Sequence, residues 1–334
     1  MSAAVRPRSP LTPALRDLQA HVRDGLDRAS DELRRIVTAD FPLVEEVNGH
    51  LMLMKGKMFR PTLVLLASAT DNASEERAAT LAAVVELVHL ATLVHDDSVD
   101  HSALRRGMPT INALFSHEVS VIMGDFLYSR AVVELVRIGD LEVLRVLAKA
   151  TNDMTVGELR QLAALDALSF SENDYEALIR AKTASLLSAA CEIGALAGAP
   201  RFRKQLAYYG ERLGMAFQIA DDLLDYTADE SVTGKPAGLD LREHKVTLPL
   251  IAALRSMGGT ERRQVERLFA DGQPDEATIA SVVEIVRDAG GLEYARHRGE
   301  RYAKDAESAL AELPDSPAVN ALTAAIAYAM DRTR

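Results

Sequence analysis

From Leu11 onward, apolar residues recur at i, i+3, i+4 and i+7 in most windows, the spacing that lines one face of an α-helix. Short breaks interrupt the pattern at "MKGKMFRP", "DNAS", "RRGMPT", "RIGD", "LSFSEND", "AGAPR", "TGKPAG", "SMGG", "DGQPDE" and "DAGG". Between them the spacing predicts helices of about 12 to 25 residues. No segment alternates in strand fashion, and no long Ser/Gly/Pro linker divides the chain. The expected fold is all-α: one helical domain over residues 11–334, preceded by a disordered tail over residues 1–10. Alanine and leucine dominate the apolar runs and Trp is absent, which suits packed helices. No run approaches the roughly 20 uninterrupted apolar residues of a membrane span.

Two of these apolar runs end in the same acidic signature. "LVHDDSVD" carries Asp96, Asp97 and Asp100, and "IADDLLDY" carries Asp221, Asp222 and Asp225. Residues four apart lie one helical turn from each other, about 5.4 Å along the axis. Asp96 and Asp100 therefore share a direction, with Asp97 beside them. Carboxylates this close repel unless a cation bridges them, and aspartate at a helix C-terminus also opposes the macrodipole. One such cluster is read most simply as a solvated helix end. Two copies, each after an apolar run, suit a magnesium–diphosphate clamp, because magnesium favours a few carboxylates completed by water and phosphate.

The balance of the whole chain narrows the chemistry further. A net charge of −11 over 334 residues argues against a nucleic-acid partner. The single cysteine, Cys191, lies in an apolar run and reads as a small core residue in a reducing compartment. The opening "MSAAVRPRSPLTP" has no apolar stretch of secretory length, so a cytoplasmic protein is expected.

Basic residues stand at intervals around the acidic motifs. Lys57 and Arg60 precede Pro61, a candidate first helical residue whose free N–H neighbours would favour an anion. His89 lies two turns before Asp96 on nearly the same face. Arg105 and Arg106 follow at a turn permitted by Gly107, as paired phosphate ligands or as partners of the aspartates. Lys182 and Thr183 interrupt an apolar helix, Gln218 shares the face of Asp221 and Asp222, and Lys235 and Lys245 follow the second motif. Each is ambiguous alone.

In order, "GKMFRP", "ELVHLATLVHDDSVDHSALRRGMPT", "GDFLYSR", "AKTASLL", "GMAFQIADDLLDY" and "GKPAGLDLREHKVTLPL" resemble the trans-polyprenyl diphosphate synthases, which elongate isoprenyl chains head to tail. The resemblance spans about Gly56 to Leu250. It implies an isoprenoid-synthase-type helical bundle around a deep central cavity, working as a homodimer. It also implies that Lys57, Arg60, His89 and Arg106 bind the diphosphate of isopentenyl diphosphate. Arg105, Lys182, Thr183, Gln218 and Lys235 would then meet an allylic diphosphate such as farnesyl or geranylgeranyl diphosphate. Asp96, Asp100, Asp221 and Asp225 would hold magnesium, about three ions with the substrate diphosphate, with Asp97 and Asp222 completing the catalytic set. Two positions depart from the pattern: Lys55 and His244 stand where the family often has glycine.

Product length is expected to be set along the helix that ends at Asp96. One turn earlier lie Ala91 and Thr92, both small, and no Phe, Tyr or Trp occurs between Pro61 and Asp96. This predicts an open tunnel and, with the resemblance to long-chain synthases, a product of about seven to ten isoprene units at roughly one unit per helical turn. Leu135 and Leu147 are candidates for its floor. The nearest rival is a geranylgeranyl diphosphate synthase with a shallower tunnel. More distant are a terpene cyclase, a non-catalytic partner subunit, and a calcium-binding bundle that would leave the basic residues without a role.

Overall fold

Serine, aspartate and glycine end the helices where the sequence pattern breaks. The computed structural model describes residues 15–54, 56–71, 75–163, 167–227 and 238–331. Its helices are α1 (Leu15–Gln19), α2 (Arg23–Val37), α3 (Pro42–Leu53), α4 (Phe59–Ser68), α5 (Glu75–Val99), α6 (Ile111–Leu114), α7 (His117–Ile138), α8 (Leu141–Ala163) and α9 (Glu172–Ile179). A π turn over Arg180–Ala184 leads into α10 (Ser185–Gly198), and α11 (Arg203–Thr227) follows. The C-terminal part holds α12 (Leu239–Arg242), α13 (Leu248–Ala253), α14 (Gly259–Ala270), α15 (Glu276–Asp288), α16 (Gly291–Leu310) and α17 (Pro317–Met330). Ser116 caps α7 by accepting from the Val119 N–H at 3.2 Å, and Ser171 forms a reciprocal capping box with Asp174 at the start of α9.

The all-α expectation holds, with one addition. "LRRGMP" folds as a small antiparallel hairpin of two-residue strands, β1 (Leu104–Arg105) and β2 (Met108–Pro109). Arg106 (φ 54°) and Gly107 (φ 76°) are both left-handed at its turn. Such short strands leave no alternation to read. Pro61 is also not the first residue of its helix: α4 starts at Phe59, with left-handed Met58 before it. The expected tail, residues 1–10, lies outside the described residues, as does Lys55.

Helix α5 runs through the middle, packed against α2, α4, α7 and α10. Every residue from Leu81 to Val88 is buried. A helix covered on all sides needs no polar face, so Glu76–Val99 is long and apolar enough to cross a membrane, while 67% of its most apolar window lies inside the protein. Glu86, His89, His95, Asp96 and Asp97 interrupt its apolar run, and the composition reflects a central core helix. Three apolar cores surround this frame: one about α5, one where α4 and α10 meet α17, and one between α11 and the helices α13 to α16. Cys191 is buried in the second and unpaired.

Candidate active site

The last turn of α5 and the hairpin after it build one side of the site. Asp97 is buried and held by Arg105, whose Nε donates to both carboxylate oxygens at 2.8 Å. For Arg105 the structure therefore has the charge-pairing alternative. Asp96 is half-buried, and its carboxylate accepts no hydrogen bond from the described residues. Burial pushes it up to about 6; Glu158 and Asp100 push the same way, against Lys182 and Arg105. Asp100, just past the helix, is exposed.

The end of α11 builds the facing side. Asp222 is buried, and both its oxygens are engaged: the Tyr175 hydroxyl donates at 2.5 Å and Gln218 Nε2 at 2.7 Å. Gln218 in turn accepts from Thr183 at 2.7 Å, so three elements meet on one carboxylate. Burial still pushes Asp222 up to about 7. Asp225 accepts the N–H groups of Leu239 and Asp240 at 3.1 and 3.0 Å, which fastens the start of α12 to α11. Asp240, left half-exposed, is pushed up to about 8 by burial and by the like charges of Asp222 and Asp225. Lys245 spans the two sides electrostatically: its ammonium is stabilised by Glu243, Asp100 and Asp240. Asp100 of the first motif thus acts on the same cation as Asp240, the neighbour of Asp222 and Asp225.

Beside the second motif lies a cavity of about 500 Å³, lined among others by Gln161, Tyr175, Lys182, Thr183, Asp222 and Asp240. The π turn supplies two of these residues. Ser185 N–H bonds back to Arg180 carbonyl, an i→i+5 step, and the wider turn presents both Lys182 and Thr183 toward the cavity. It fits because glycines stand opposite. A Cβ on Gly157 would lie 2.8 Å from Ala181 Cβ, and one on Gly214 would lie 2.5 Å from Ala184 Cα. Lys182 Nζ is paired with Glu158 at 2.5 Å and reaches Gln161 at 3.5 Å.

A second basic group sits where α4, α5 and the hairpin meet. Arg60 Nη1 is 2.9 Å from His89 Nε2, and because a guanidinium only donates, that nitrogen accepts. Burial and the nearby guanidiniums hold His89 well below the usual range, so it is neutral at pH 7. Arg60 is pushed down to about 10 by burial, with Glu86 opposing, and its Nε is buried without a partner. Arg106 Nη1 donates to the Met54 carbonyl at 2.8 Å. Lys57 is exposed at the mouth, and its carbonyl accepts from Gln19.

The expected residues therefore fall into two groups on either side of the α5 terminus; Lys235 lies outside the described residues. Sequence reasoning passed over Glu86, Glu158, Gln161, Tyr175 and Asp240. Glu158 and Gln161, three apart in "GELRQ", form an i, i+3 polar pair that could have marked a site. Nothing local distinguishes Tyr175. His244, the departure from glycine, is left-handed (φ 54°), and its Nε2 meets the Leu268 and Asp271 carbonyls at 3.2 and 2.9 Å.

The donors fit a hard divalent cation. They are carboxylate oxygens, several pushed toward protonation by burial and then by one another, with Asp96 free of hydrogen bonds among the described residues. Among the described residues no three His, Cys, Asp or Glu form a ready-made metal cage. That suits an ion completed by water and a phosphate ligand better than one enclosed by protein.

Comparison with known proteins agrees. The family model described as polyprenyl synthetase matches residues 41–286. Octaprenyl diphosphate synthase of Escherichia coli (strain K12) is 39% identical over 300 residues, 89% of this chain and 93% of that protein. Heptaprenyl diphosphate synthase component 2 of Geobacillus stearothermophilus is 36% identical, covering 90% and 93%. A polyprenyl synthase from Caulobacter crescentus CB15, solved with calcium and isoprenyl diphosphate, superposes with a TM-score of 0.90 at 34% identity, covering 98% of this chain and 99% of that one.

Proposed function

The chain belongs to the polyprenyl synthetase family, and from that premise we propose that it condenses isopentenyl diphosphate repeatedly onto an allylic diphosphate, giving a long-chain polyprenyl diphosphate. The observation that carries the reading is Lys182, which lines one cavity with Asp222 and acts electrostatically on Asp96 of the other motif, together with a separate basic group of Arg60, His89 and Arg106. Two anionic substrates need two cationic sites. The guanidiniums of Arg60 and Arg106, with Lys57 and neutral His89, hold the diphosphate of isopentenyl diphosphate. Lys182, Thr183 and Gln218 hold the allylic diphosphate, with Arg105 and Lys235 assigned to the same substrate. Asp96, Asp100, Asp221 and Asp225 hold magnesium, while Asp97 and Asp222 keep the motifs in shape. For Asp225 this requires sharing a carboxylate that already caps α12.

Magnesium, when bound, offsets negative charge gathering on the departing diphosphate. Lys182 adds a positive charge where that leaving group develops. The allylic C–O bond breaks with its electron pair going to diphosphate. The double bond of isopentenyl diphosphate then attacks the allylic cation, and loss of a proton restores a double bond. No protein nucleophile is needed.

Chain growth follows α5 back from Asp96, past Thr92 and Ala91. Relatives named for seven- and eight-unit products support a length of about seven to ten units. A homodimer is part of the same reading. Val121, Ile122, Val133 and Val136 expose an apolar stripe on α7, and Leu141, Leu159 and Leu162 of α8 are also exposed. A cytoplasmic setting accords with Cys191, which is buried and needs no oxidising compartment. The test is incubation with farnesyl diphosphate, labelled isopentenyl diphosphate and magnesium, followed by chain-length chromatography. Products of seven or more units support the long-chain reading. A stop at four units would replace it with a geranylgeranyl synthase, and no turnover with any starter would favour a subunit that needs a second component.

A further inference from the structure

Glu86 is the one carboxylate near the Arg60–Arg106 group whose role the reaction does not use. It sits on α5 one turn before His89 and is only 4% exposed. Among the described residues its carboxylate has neither a hydrogen bond nor an ion pair within 4 Å; burial raises its pKa, and the guanidiniums of Arg60 and Arg106 oppose that rise and favour its charge. Its place is fixed from above by Gly56. A Cβ there would stand 3.1 Å from Glu86 Oε1 and 3.3 Å from Arg106 Nη1, so any larger residue would press on both groups. The guanidinium N–H groups are spent elsewhere or left open: Arg60 Nη1 on His89, Arg106 Nη1 on the Met54 carbonyl, and Arg60 Nε on nothing.

A buried charge held near two cations, but out of contact with them, has two effects of opposite sign. With the site empty, it offsets the mutual repulsion of Arg60 and Arg106, which otherwise destabilises the fold. With a diphosphate bound, it repels the ligand across a few ångströms of poorly screened protein. Both effects weaken the net affinity of the site for a diphosphate. A direct ion pair would instead have consumed the donors the ligand needs.

We propose that Glu86 is a positioning residue that acts through Arg60 and Arg106 to loosen their grip on diphosphate, so that the site empties after each condensation. This rests on the elongation reading above. In that chemistry, each product carries its diphosphate in the isopentenyl site and must move it to the allylic site before the next unit can enter. A grip optimised only for tightness would hold the product where it formed.

The test is calorimetric titration of isopentenyl diphosphate into full-length protein without metal, comparing the wild type with Glu86→Gln and Glu86→Asp. Glutamine keeps the shape and removes the charge; aspartate draws the charge back by one methylene. The expected order of affinity is Gln tightest, at about tenfold lower Kd than wild type, with Asp between. Ligand-free Glu86→Gln should melt below wild type, and isopentenyl diphosphate should raise its Tm by more. If Glu86→Gln does not fold, Glu86→Asp carries the same sign at a change of about twofold. Equal or weaker binding in a folded variant overturns the proposal, since a purely structural role cannot tighten the site. No binding by wild type overturns the isopentenyl-site reading itself, and this role with it.

Discussion

Single residues here carry charge that the fold does not by itself satisfy. Asp240 is the clearest case, pushed up to about 8 by burial and by Asp222 and Asp225. A carboxyl whose folded pKa is raised contributes its stability below the unfolded pKa, and loses it as pH rises through the folded one. The metal-free protein should therefore lose stability between about pH 4 and pH 8. Thermal unfolding in chelator at pH 6 and pH 8 should show the higher Tm at pH 6. Asp240→Asn should narrow that gap by raising the value at pH 8; an unchanged gap would mean that other groups set it. Asp96 differs in having no hydrogen bond to lose. Asp96→Ala is expected to cut kcat by about a hundredfold or more, with Tm unchanged or higher. A large fall in Tm would point to a structural role instead. Backbone strain is equally local. Met58, His101, Arg106 and His244 are the non-glycine residues with left-handed φ among the described residues, and each adjoins a proposed site residue or is one.

At the scale of elements, α5 organises both chemistry and chain length. Ala91 is 2% exposed and shares its core with Val84, Val88, Leu135 and Leu147. Thr92 is half-buried, one turn from Asp96, with its hydroxyl on the His89 carbonyl at 2.8 Å. Ala91→Phe is expected to shorten the product to about four units, because a ring one turn below Asp96 fills the path. Its stability cost is a second reading of the same path. Overpacking a filled core costs about 1–3 kcal/mol, whereas a ring entering a tunnel costs less. Unchanged product length together with the larger cost would place the tunnel elsewhere. The helices themselves were legible because Ser116, Ser171 and Gly139 stop or start them in ways that need no distant partner. The acidic motifs were legible for a similar reason, since four-residue spacing fixes their common face. Tyr175, Glu86 and Asp240 were not legible. Each matters through a partner 20 or more residues away or through burial that only the folded chain creates, apart from the capped start of α12 that brings Asp240 beside Asp225.

For the whole molecule, the exposed stripe on α7 is an apolar surface that the single chain leaves uncovered. Val133 and Val136 are 59% and 66% exposed, in a helix whose other face packs on α5. Val136→Glu is expected to shift the protein from dimer to monomer in size-exclusion chromatography with light scattering, while the circular dichroism of the helices stays the same. A wild-type protein that elutes as a monomer at all concentrations would remove the dimer from the reading.

The π turn has a consequence for how this chain can vary. It amounts to one residue too many between Ile179 and Ser185 for an ordinary helix. Losing any one residue there would restore regular hydrogen bonding and rotate everything on one side of the cut by about 100° relative to the other. Lys182 and Thr183 would then no longer both face the cavity they line, even where neither is the residue lost. The function of this stretch is thus encoded in a length as well as in letters, and a shortened chain could keep every named side chain and lose their meeting place.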